Sequence, residues 1–378
     1  MKLTKTLFAG ALMAAMAGTA AAETSVTLYG LVDLGIVYQR GKVGTSDGNR
    51  PEYGGDYHSR IGMNSGNQSG SRFGLRGVED LGNGTQANFV LENGFSANNG
   101  NREQAGRLFG RRATLGLSNE AWGSLDLGRN TNIASDWFGN IDPFGTDFWT
   151  ASMGTAFSAA NTVRYDNMVT YQSPSFGGFQ FGAGYSFSFD DVERGSQFAT
   201  KENNRAITTG VRYSGGPLQV VFTYDKQMLK PNQPSPDQFI LGAAYDFEVV
   251  KLSLAYGRSR DGVMIGQGYD LMGGLGNPNT PATGQGDTND SFTWKDLKIN
   301  SYMVGLSAPI GGASSVFGSW QRADPNKGLE TMNVYSLGYT YDLSKRTNLY
   351  AFGSYNDAAA FVDGDKMLTV GVGLRHRF

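Results

Sequence analysis

Acidic and large aromatic residues lie close together between residues 130 and 161. They are Asp136, Asp142 and Asp147 among Trp137, Phe138, Phe144, Phe148 and Trp149. Aromatic side chains can fix such a segment against a wall, while carboxylates that project into water attract or orient charged solutes. An exposed loop with ordinary solvated aspartates would have the same composition. The stretch is therefore a candidate site for selecting charged solutes.

The residues that most reactions require are sparse in this chain. Only two histidines occur, His58 and His376, and neither has a nucleophile motif beside it. The sequence also contains no phosphate-binding loop, metal-ligand cluster or nucleophile elbow. We therefore expect neither an enzyme nor a protein that uses a metal or another cofactor.

The elements that position the candidate residues are β-strands, because apolar and polar residues alternate with a period of two. In the segment 25–39 one face holds Val26, Leu28, Gly30, Val32, Leu34, Ile36 and Tyr38, and the other holds Ser25, Thr27, Asp33 and Gln39. The segment 368–378 repeats the pattern, with Leu368, Val370, Val372, Leu374, His376 and Phe378 on one face and Thr369, Gly371, Gly373, Arg375 and Arg377 on the other. A helix would scatter these residues around its circumference. Two half-apolar strands are thus predicted at the ends of the mature chain, and closure of a barrel would pair them.

Short and long connections alternate between the predicted strands. Seven are turns, at residues 80–84, 118–120, 174–178, 214–217, 246–248, 309–312 and 342–345. Eight are longer and polar, near residues 40–70, 94–105, 130–161, 190–204, 227–237, 260–298, 323–331 and 357–365. The stretch 260–298 could be an interdomain linker, but the alternation resumes at Ile299, which favours an external loop. These connections predict an all-β, 16-stranded antiparallel barrel with turns at one rim and loops at the other.

The composition fits a membrane barrel that encloses water. Glycine accounts for 54 residues and aromatic residues for 12%, yet the mean hydropathy is only −0.34. Strands that expose alternate residues to lipid keep total hydropathy low while aromatic residues collect at the interfaces. A barrel of this size leaves an aqueous channel. Glu92 shares a face with Gln86 and Asn88, so it either lines that lumen or serves as a structural ion-pair partner.

The first 22 residues have the features of a secretory signal peptide. Lys2 and Lys5 precede a short apolar stretch, and Ala20–Ala22 provide the small residues of a cleavage site. The apolar stretch is too short for a membrane anchor. We expect residues 23–378 to form one barrel domain, stabilised without disulfides because the chain has no cysteine. The net charge of −2 does not indicate a nucleic-acid partner.

Several segments resemble the trimeric general porins of Gram-negative outer membranes, especially the neisserial and betaproteobacterial branch. The matching segments are residues 26–30 (VTLYG), 71–84 (SRFGLRGVEDLGNG), 123–129 (GSLDLGR), 163–166 (VRYD), 343–347 (LSKRT) and 373–378 (GLRHRF). Their order and spacing extend over the whole mature chain. The resemblance implies a homotrimer in the outer membrane, with the third external loop folded into the lumen.

The resemblance also implies roles for particular residues. Arg72 and Arg111 match wall positions that face the loop aspartates, and Arg129 and Arg164 flank the loop. Alternation with Leu115 and Leu117 would favour Arg112 over Arg111, whereas the family match favours Arg111, which we choose. Phe378 is expected to belong to the signal read by the barrel-assembly machinery, or simply to be a girdle aromatic that ends a strand.

The expected function is a water-filled channel for passive diffusion of ions and small hydrophilic solutes. Its expected surroundings are outer-membrane lipid and lipopolysaccharide. A channel specific for a sugar or for phosphate is the main alternative, because the arginines keep anion preference open and the loop aspartates oppose it. A structural or adhesin barrel is a third possibility, although it typically has fewer strands and no such long aromatic loop.

Overall fold

The described part of the chain forms one closed antiparallel β-barrel. The computed structural model describes residues 25–42, 45–46, 51–52, 57–190, 202–229, 233–264 and 291–378. The predicted 16-stranded barrel is confirmed. Its strands are β1 (Ser25–Lys42), β2 (Tyr57–Ser65 and Arg72–Gly82), β3 (Thr85–Gly94), β4 (Arg112–Asn119), β5 (Gly123–Thr131), β6 (Arg164–Gln172), β7 (Phe179–Ser186), β8 (Arg205–Gly215), β9 (Leu218–Met228), β10 (Asp237–Asp246), β11 (Lys251–Met264), β12 (Ser291–Ile310), β13 (Ser314–Pro325), β14 (Met332–Asp342), β15 (Thr347–Asp357) and β16 (Lys366–Arg377). A two-residue pair, Thr45–Ser46 with Pro51–Glu52, lies outside the barrel sheet.

Strand β2 is interrupted, and this corrects the predicted loop at 40–70. Both halves pair with β1, Leu34 opposite Ser65 and Leu31 opposite Arg72. Residues 66–71, which we call the insert, leave the sheet between them. The sequence of Tyr57–Ser65 is polar and contains glycine, so its pattern does not predict a strand. Pairing with β1 makes this segment a strand.

The first and last strands close the barrel, as the alternation at both chain ends predicts. β1 and β16 pair from Leu31 opposite Arg377 to Arg40 opposite Leu368. Phe378 extends the pairing by one residue, since its N–H and C=O each form a hydrogen bond with Gly30 (3.0 and 3.1 Å). We call this junction the closing seam. Closure pairs the backbone polar groups that an open sheet edge would present to lipid.

The two faces of the strands differ as expected. On the outer face large apolar side chains are exposed, among them Leu28, Ile36, Val372 and Leu374. On the inner face polar side chains such as Asp33 are buried against other lumenal groups. The predicted faces of the first and last strands are therefore confirmed.

The connections fall into the two predicted groups at opposite rims. Short turns follow β2, β4, β6, β8, β10, β12 and β14, and the longer connections form the other rim, which we call the external rim. β11 extends to Met264 and β12 begins at Ser291, so the predicted loop at 260–298 is shorter than expected. The predicted signal peptide lies outside the described residues. Among the residues that the structure describes, no helix is long and apolar enough to cross a membrane.

The third long connection, residues 132–163, folds into the barrel, as predicted, and we call it the lumenal loop. It contains one short helix, α1 (Ile133–Trp137), and the 3-10 turns Phe138–Asn140, Trp149–Ala151, Met153–Thr155 and Ser158–Ala160. A further 3-10 turn, Ala359–Phe361, lies between β15 and β16. The main apolar cluster of the protein forms where this loop meets the inner wall.

Candidate pore constriction

Hydrogen bonds fix both ends of the lumenal loop to the wall. Asn132 caps α1 and donates through its side chain to the Asp225 carboxylate on β9 and to the Ala159 carbonyl, both at 2.8 Å. The Ile133 N–H donates to the Thr208 hydroxyl on β8. The two ends of the loop are thus tied to each other and to the same part of the wall.

Glycines on the inner face make room for the loop. A Cβ at Gly242 would meet the Phe138 ring at 2.6 Å, and one at Gly182 would meet the Trp137 ring at 2.8 Å. The glycines that form this trough are Gly182, Gly210, Gly242, Gly257 and Gly305, on β7, β8, β10, β11 and β12. The trough was not among the predicted features, although glycines at inward positions of predicted strands were a usable signal.

The tip of the loop packs on the opposite part of the wall, near the closing seam. Phe144 and Phe148 enter a cluster with the inward rings of Phe317, Tyr350 and Phe352, with centroid separations of 4.9–5.9 Å. The loop therefore crosses the lumen from β8 and β9 to β13 and β15, and aromatic packing holds its far end.

The three predicted loop aspartates have different environments. Asp136 is exposed on α1, close enough to Arg212 for an electrostatic interaction, and the Arg212 guanidinium lies 4.8 Å from the Trp137 ring centroid. Asp147 accepts a hydrogen bond of 2.6 Å from the Ser69 hydroxyl, and it lies 4.0 Å from Arg375 Nη1. Asp136 thus lies at the base of the loop and Asp147 at its tip, and both have basic neighbours.

Asp142 is buried inside the loop and does not line the lumen, which corrects its predicted position. Its carboxylate accepts backbone N–H bonds from Phe144, Thr146 and Met153 at 2.9–3.1 Å. Burial raises the pKa of Asp142 to about 6, although the three N–H donors oppose that change. Asp142 therefore stabilises the bend of the loop and does not border the passage beside it.

Glu92 is the centre of a charged cluster on the wall. Its carboxylate accepts hydrogen bonds from Arg111 Nε (2.7 Å) and from the Tyr29 hydroxyl (2.9 Å), and Arg72 Nη1 is 3.9 Å away. The structure thus brings the three predicted residues Arg72, Glu92 and Arg111 together. Arg112 also faces inward and lies 3.5 Å from Asp126. The two adjacent arginines can both face inward because Arg111 precedes β4 and does not follow its alternation.

Arg129 and Arg164 are not part of this cluster. Arg129 donates to Asp166 at 2.7 Å, and Arg107 lies 2.9 Å from the same carboxylate. Arg164 is buried at the start of β6 with its Nη1 3.5 Å from the Thr162 carbonyl. Both arginines therefore support the base of the lumenal loop.

The insert faces the tip of the loop and is held by residues that were not among the predicted site residues. Asp33 accepts N–H bonds from Gln68 and Ser69 at 2.9 and 2.7 Å, and Tyr350 donates its hydroxyl to Asp33 at 2.5 Å. Arg375 donates to the Ser69 hydroxyl at 2.7 Å. Arg375 and Asp33 were on predicted inward faces, which was the one signal that could have identified them.

The insert and the loop tip touch, since the Phe148 N–H donates to the Gln68 carbonyl at 2.9 Å, and a gap opens beside that contact. Asp147 and Trp149 line it on the loop side, and Gln68, Gly70 and Arg111 line it on the wall side. Charged groups of both signs border the gap, which makes it the candidate constriction of the lumen.

The two histidines lie away from this gap. His58 is exposed in the first half of β2, and His376 is exposed near the end of β16, where its Nδ1 is 2.8 Å from the Thr347 hydroxyl. Among the described residues no group of three or more His, Cys, Asp or Glu side chains is placed to hold a metal ion.

A closed barrel with a loop across its lumen defines the class of transmembrane β-barrel channels. Comparisons with known proteins agree. The family described as Gram-negative porin matches residues 9–360. An outer membrane porin protein of Bordetella pertussis is 56% identical over 396 residues, covering 99% of this chain and 100% of that protein. The chain therefore belongs to the Gram-negative porin family and is an outer-membrane protein.

Solved structures resemble the barrel over nearly its whole length. The anion-selective porin from Comamonas acidovorans has 29% sequence identity and a TM-score of 0.69, and the match covers 94% of this chain and 100% of that one. The trimer form of OmpT, an outer membrane protein of Vibrio cholerae, has 15% identity and a TM-score of 0.61, covering 94% and 99%. The second likeness concerns the fold alone.

Proposed function

We propose that this porin is a passive diffusion channel for ions and small hydrophilic solutes, with its constriction at the gap beside the insert and the tip of the lumenal loop. The observation that carries the proposal is the position of Asp147, which faces the arginine-bearing wall across the gap. Charges of opposite sign across a narrow passage produce a transverse field that favours small polar solutes over apolar ones.

The preference of the channel that we propose is for anions. Charged groups of both signs lie at the gap, the arginines Arg72, Arg111 and Arg375 and the carboxylates of Glu92, Glu103 and Asp147. Arginine stays charged even beside other cations, so the positive side of the gap persists at any physiological pH. The structurally similar porin from Comamonas acidovorans is anion-selective, which supports the same assignment for this chain.

Planar-bilayer recording of the purified, folded protein tests both statements. We expect stepwise ion currents and, in a potassium chloride gradient, a reversal potential whose sign shows that chloride is the more permeant ion. Absence of current from correctly folded protein would contradict the channel, and a cation-selective reversal potential would contradict the anion preference. Saturation of the current by one sugar or by phosphate would instead identify a solute-specific channel.

The proposal includes assembly as a homotrimer, for which the trimer form of the Vibrio protein is the supporting structural likeness. On a gel we expect an SDS-resistant oligomer that collapses to the monomer on boiling. Migration as a monomer before boiling would contradict it.

We also propose that residues 1–22 are a cleaved signal peptide and that Phe378 is read by the barrel-assembly machinery. Phe378 is 46% exposed at the end of the closing seam, where a receptor can reach it before closure. Deletion of Phe378 should lower the amount of barrel in the outer membrane. The conservative variant Phe378→Tyr should restore it, and failure of Tyr to do so would argue against recognition of a terminal aromatic. Mass spectrometry of the mature chain should find Glu23 at its N-terminus.

A further inference from the structure

The charges that border the gap balance each other. Three arginines lie there beside three carboxylates. Opposite charges held close together produce a strong transverse field but little net potential, because their contributions cancel over a distance of a few ångströms. A preference of the whole channel for anions therefore points to a cation in the lumen outside the gap.

Arg76 is an inward cation between the gap and the rim that carries the short turns. Its neighbour Leu75 is exposed on the outer face of β2, opposite the exposed Leu28 of β1, so alternation directs Arg76 into the lumen. Arg76 follows Arg72 by four residues, which is about 13 Å along the strand. Its side chain is exposed. An ion that moves from the gap to the short-turn rim therefore passes this guanidinium.

The arginines beside Arg76 on the wall are matched by carboxylates. Arg111 and Arg72 lie 2.7 and 3.9 Å from the same oxygen of Glu92. Arg112 lies 3.5 Å from the carboxylate of Asp126. Each of these arginines thus has an acidic group close enough to cancel much of its charge at a distance.

Arg76 has no such carboxylate. Throughout the part of the chain that the structure describes, no acidic side chain forms an ion pair with it. The residues directly opposite on the two neighbouring strands are Thr27 and Val90, which carry no charge. Another inward arginine near this rim, Arg377, directly precedes the terminal carboxylate of Phe378. The charge of Arg76 is therefore available to ions in the lumen.

The aromatic ring of Tyr29 holds Arg76 in place without neutralising it. The Arg76 guanidinium carbon lies 5.4 Å from the centroid of that ring. The ring lies over Gly74, where a Cβ would come within 2.9 Å of it, and the Tyr29 hydroxyl donates to Glu92 at 2.9 Å. A guanidinium stacked on an aromatic ring keeps its charge, and the N–H groups along its edge can still bind an anion.

We propose that Arg76 determines the anion preference of the channel, as a binding station for small anions such as chloride, and that Tyr29 is its positioning residue. The inference rests on the anion preference proposed above and assigns the selective charge to a residue outside the gap. An exposed charge in a lumen attracts anions and repels cations over about one Debye length, which is about 10 Å at 0.1 M salt.

Reversal potentials of the purified barrel in potassium chloride gradients near 0.1 M test the assignment. Arg76→Gln should lower the ratio of chloride to potassium permeability about three- to fivefold, whereas Arg76→Lys, which keeps the charge, should retain most of it. The matched control is Lys298→Gln, which removes the same charge from an exposed position on β12 outside the lumen and should change the ratio by less than about 1.2-fold. Near 1 M salt the effect of Arg76→Gln should largely disappear, because the Debye length falls to about 3 Å.

A cysteine at position 76 separates the charge from other effects of the substitution. The chain has no cysteine of its own, so thiol reagents react only at the introduced residue. In a folded Arg76→Cys channel we expect a positively charged thiosulfonate to restore the anion preference and a negatively charged one to lower it further. Equal effects of the two reagents would overturn the proposal.

Substitutions of Tyr29 test the positioning role without changing any charge. Tyr29→Leu removes the ring and should lower the permeability ratio about twofold, because the guanidinium is no longer held over the lumenal wall. Tyr29→Phe keeps the ring and should retain the ratio. An unchanged ratio in Tyr29→Leu would contradict the positioning role.

The wild-type measurement separates this inference from the proposed function. A wild-type barrel that prefers potassium would contradict the anion preference and the role of Arg76 with it. An anion-selective wild type whose ratio is unchanged in Arg76→Gln would overturn the role of Arg76 alone. Heat-modifiable migration verifies folding, and the paired reagents on Arg76→Cys decide the question if Arg76→Gln fails to fold.

Discussion

The hydroxyl of Tyr350 on β15 donates a hydrogen bond of 2.5 Å to the carboxylate of Asp33 on β1, reaching across β16 on the inside of the barrel. Gly373 on β16 permits the crossing, because a Cβ there would overlap the Tyr350 side chain. The same carboxylate holds the insert through the N–H groups of Gln68 and Ser69. The closing seam and the wall side of the gap are therefore stabilised by one buried group.

Removing this hydrogen bond should loosen both features. Tyr350→Phe leaves a buried carboxylate oxygen of Asp33 without its donor, which costs about 1–3 kcal/mol. We expect a lower unfolding temperature on heat-modifiability gels and a noisier open-channel current. Tyr355→Phe, which removes an outward hydroxyl from the same strand, is the control. Equal behaviour of the two variants would show that the contact is unimportant for the insert.

Neutralising Asp147 should increase anion preference. Asp147→Asn removes one negative charge from the gap while its side chain can still accept from Ser69, so the net charge of the gap becomes more positive. We expect the ratio of chloride to potassium permeability to increase about two- to fivefold, measured from reversal potentials. Asp136→Asn removes the same charge at the base of the loop and should change the ratio less. A larger effect at Asp136 would place the selective region elsewhere.

Asp142 should make the stability of the lumenal loop depend on pH. Its folded-state pKa of about 6 lies above the usual value for an aspartate, so the folded loop binds a proton more readily than the unfolded loop does. The stabilisation is present below about pH 4 and is lost as the pH rises through about 6.

Unfolding temperatures at pH 5 and pH 7.5 measure this effect. We expect the wild-type barrel to gain stability at pH 5 relative to Asp142→Asn, whose side chain does not titrate. The variant also has fewer acceptors for the three N–H donors, so it should be less stable at both values. A difference between variant and wild type that is the same at both pH values would contradict the raised pKa.

The glycine trough should be sensitive to a single methyl group. Gly242→Ala places a Cβ within 2.6 Å of the Phe138 ring and should displace the base of the lumenal loop, at a cost of about 1–3 kcal/mol. We expect altered single-channel conductance together with faster proteolysis of the loop. Gly353→Ala is the matched control, since a Cβ there meets its nearest atom at 3.7 Å. Wild-type conductance in Gly242→Ala would show that the loop adapts without moving.

The sequence by itself determined the barrel, its strand number and the direction in which most strand residues point. Where strands separate lipid from water, the alternation of apolar and polar residues fixes which face of each strand meets lipid. The positions of Asp33, Glu92 and Arg375 on inward faces therefore follow from alternation alone. The pairing of the chain ends at Phe378 followed from the same pattern. These properties depend on neighbours in the sequence.

Only the tertiary structure decided which lumenal groups meet. The insert in β2 depends on Asp33 and Tyr350, and the burial of Asp142 depends on N–H groups of a loop folded back on itself. The adjacent arginines Arg111 and Arg112 both face inward because the first precedes the regular strand. Such contacts join residues distant in the chain or outside regular elements, where a local repeat carries no information about direction.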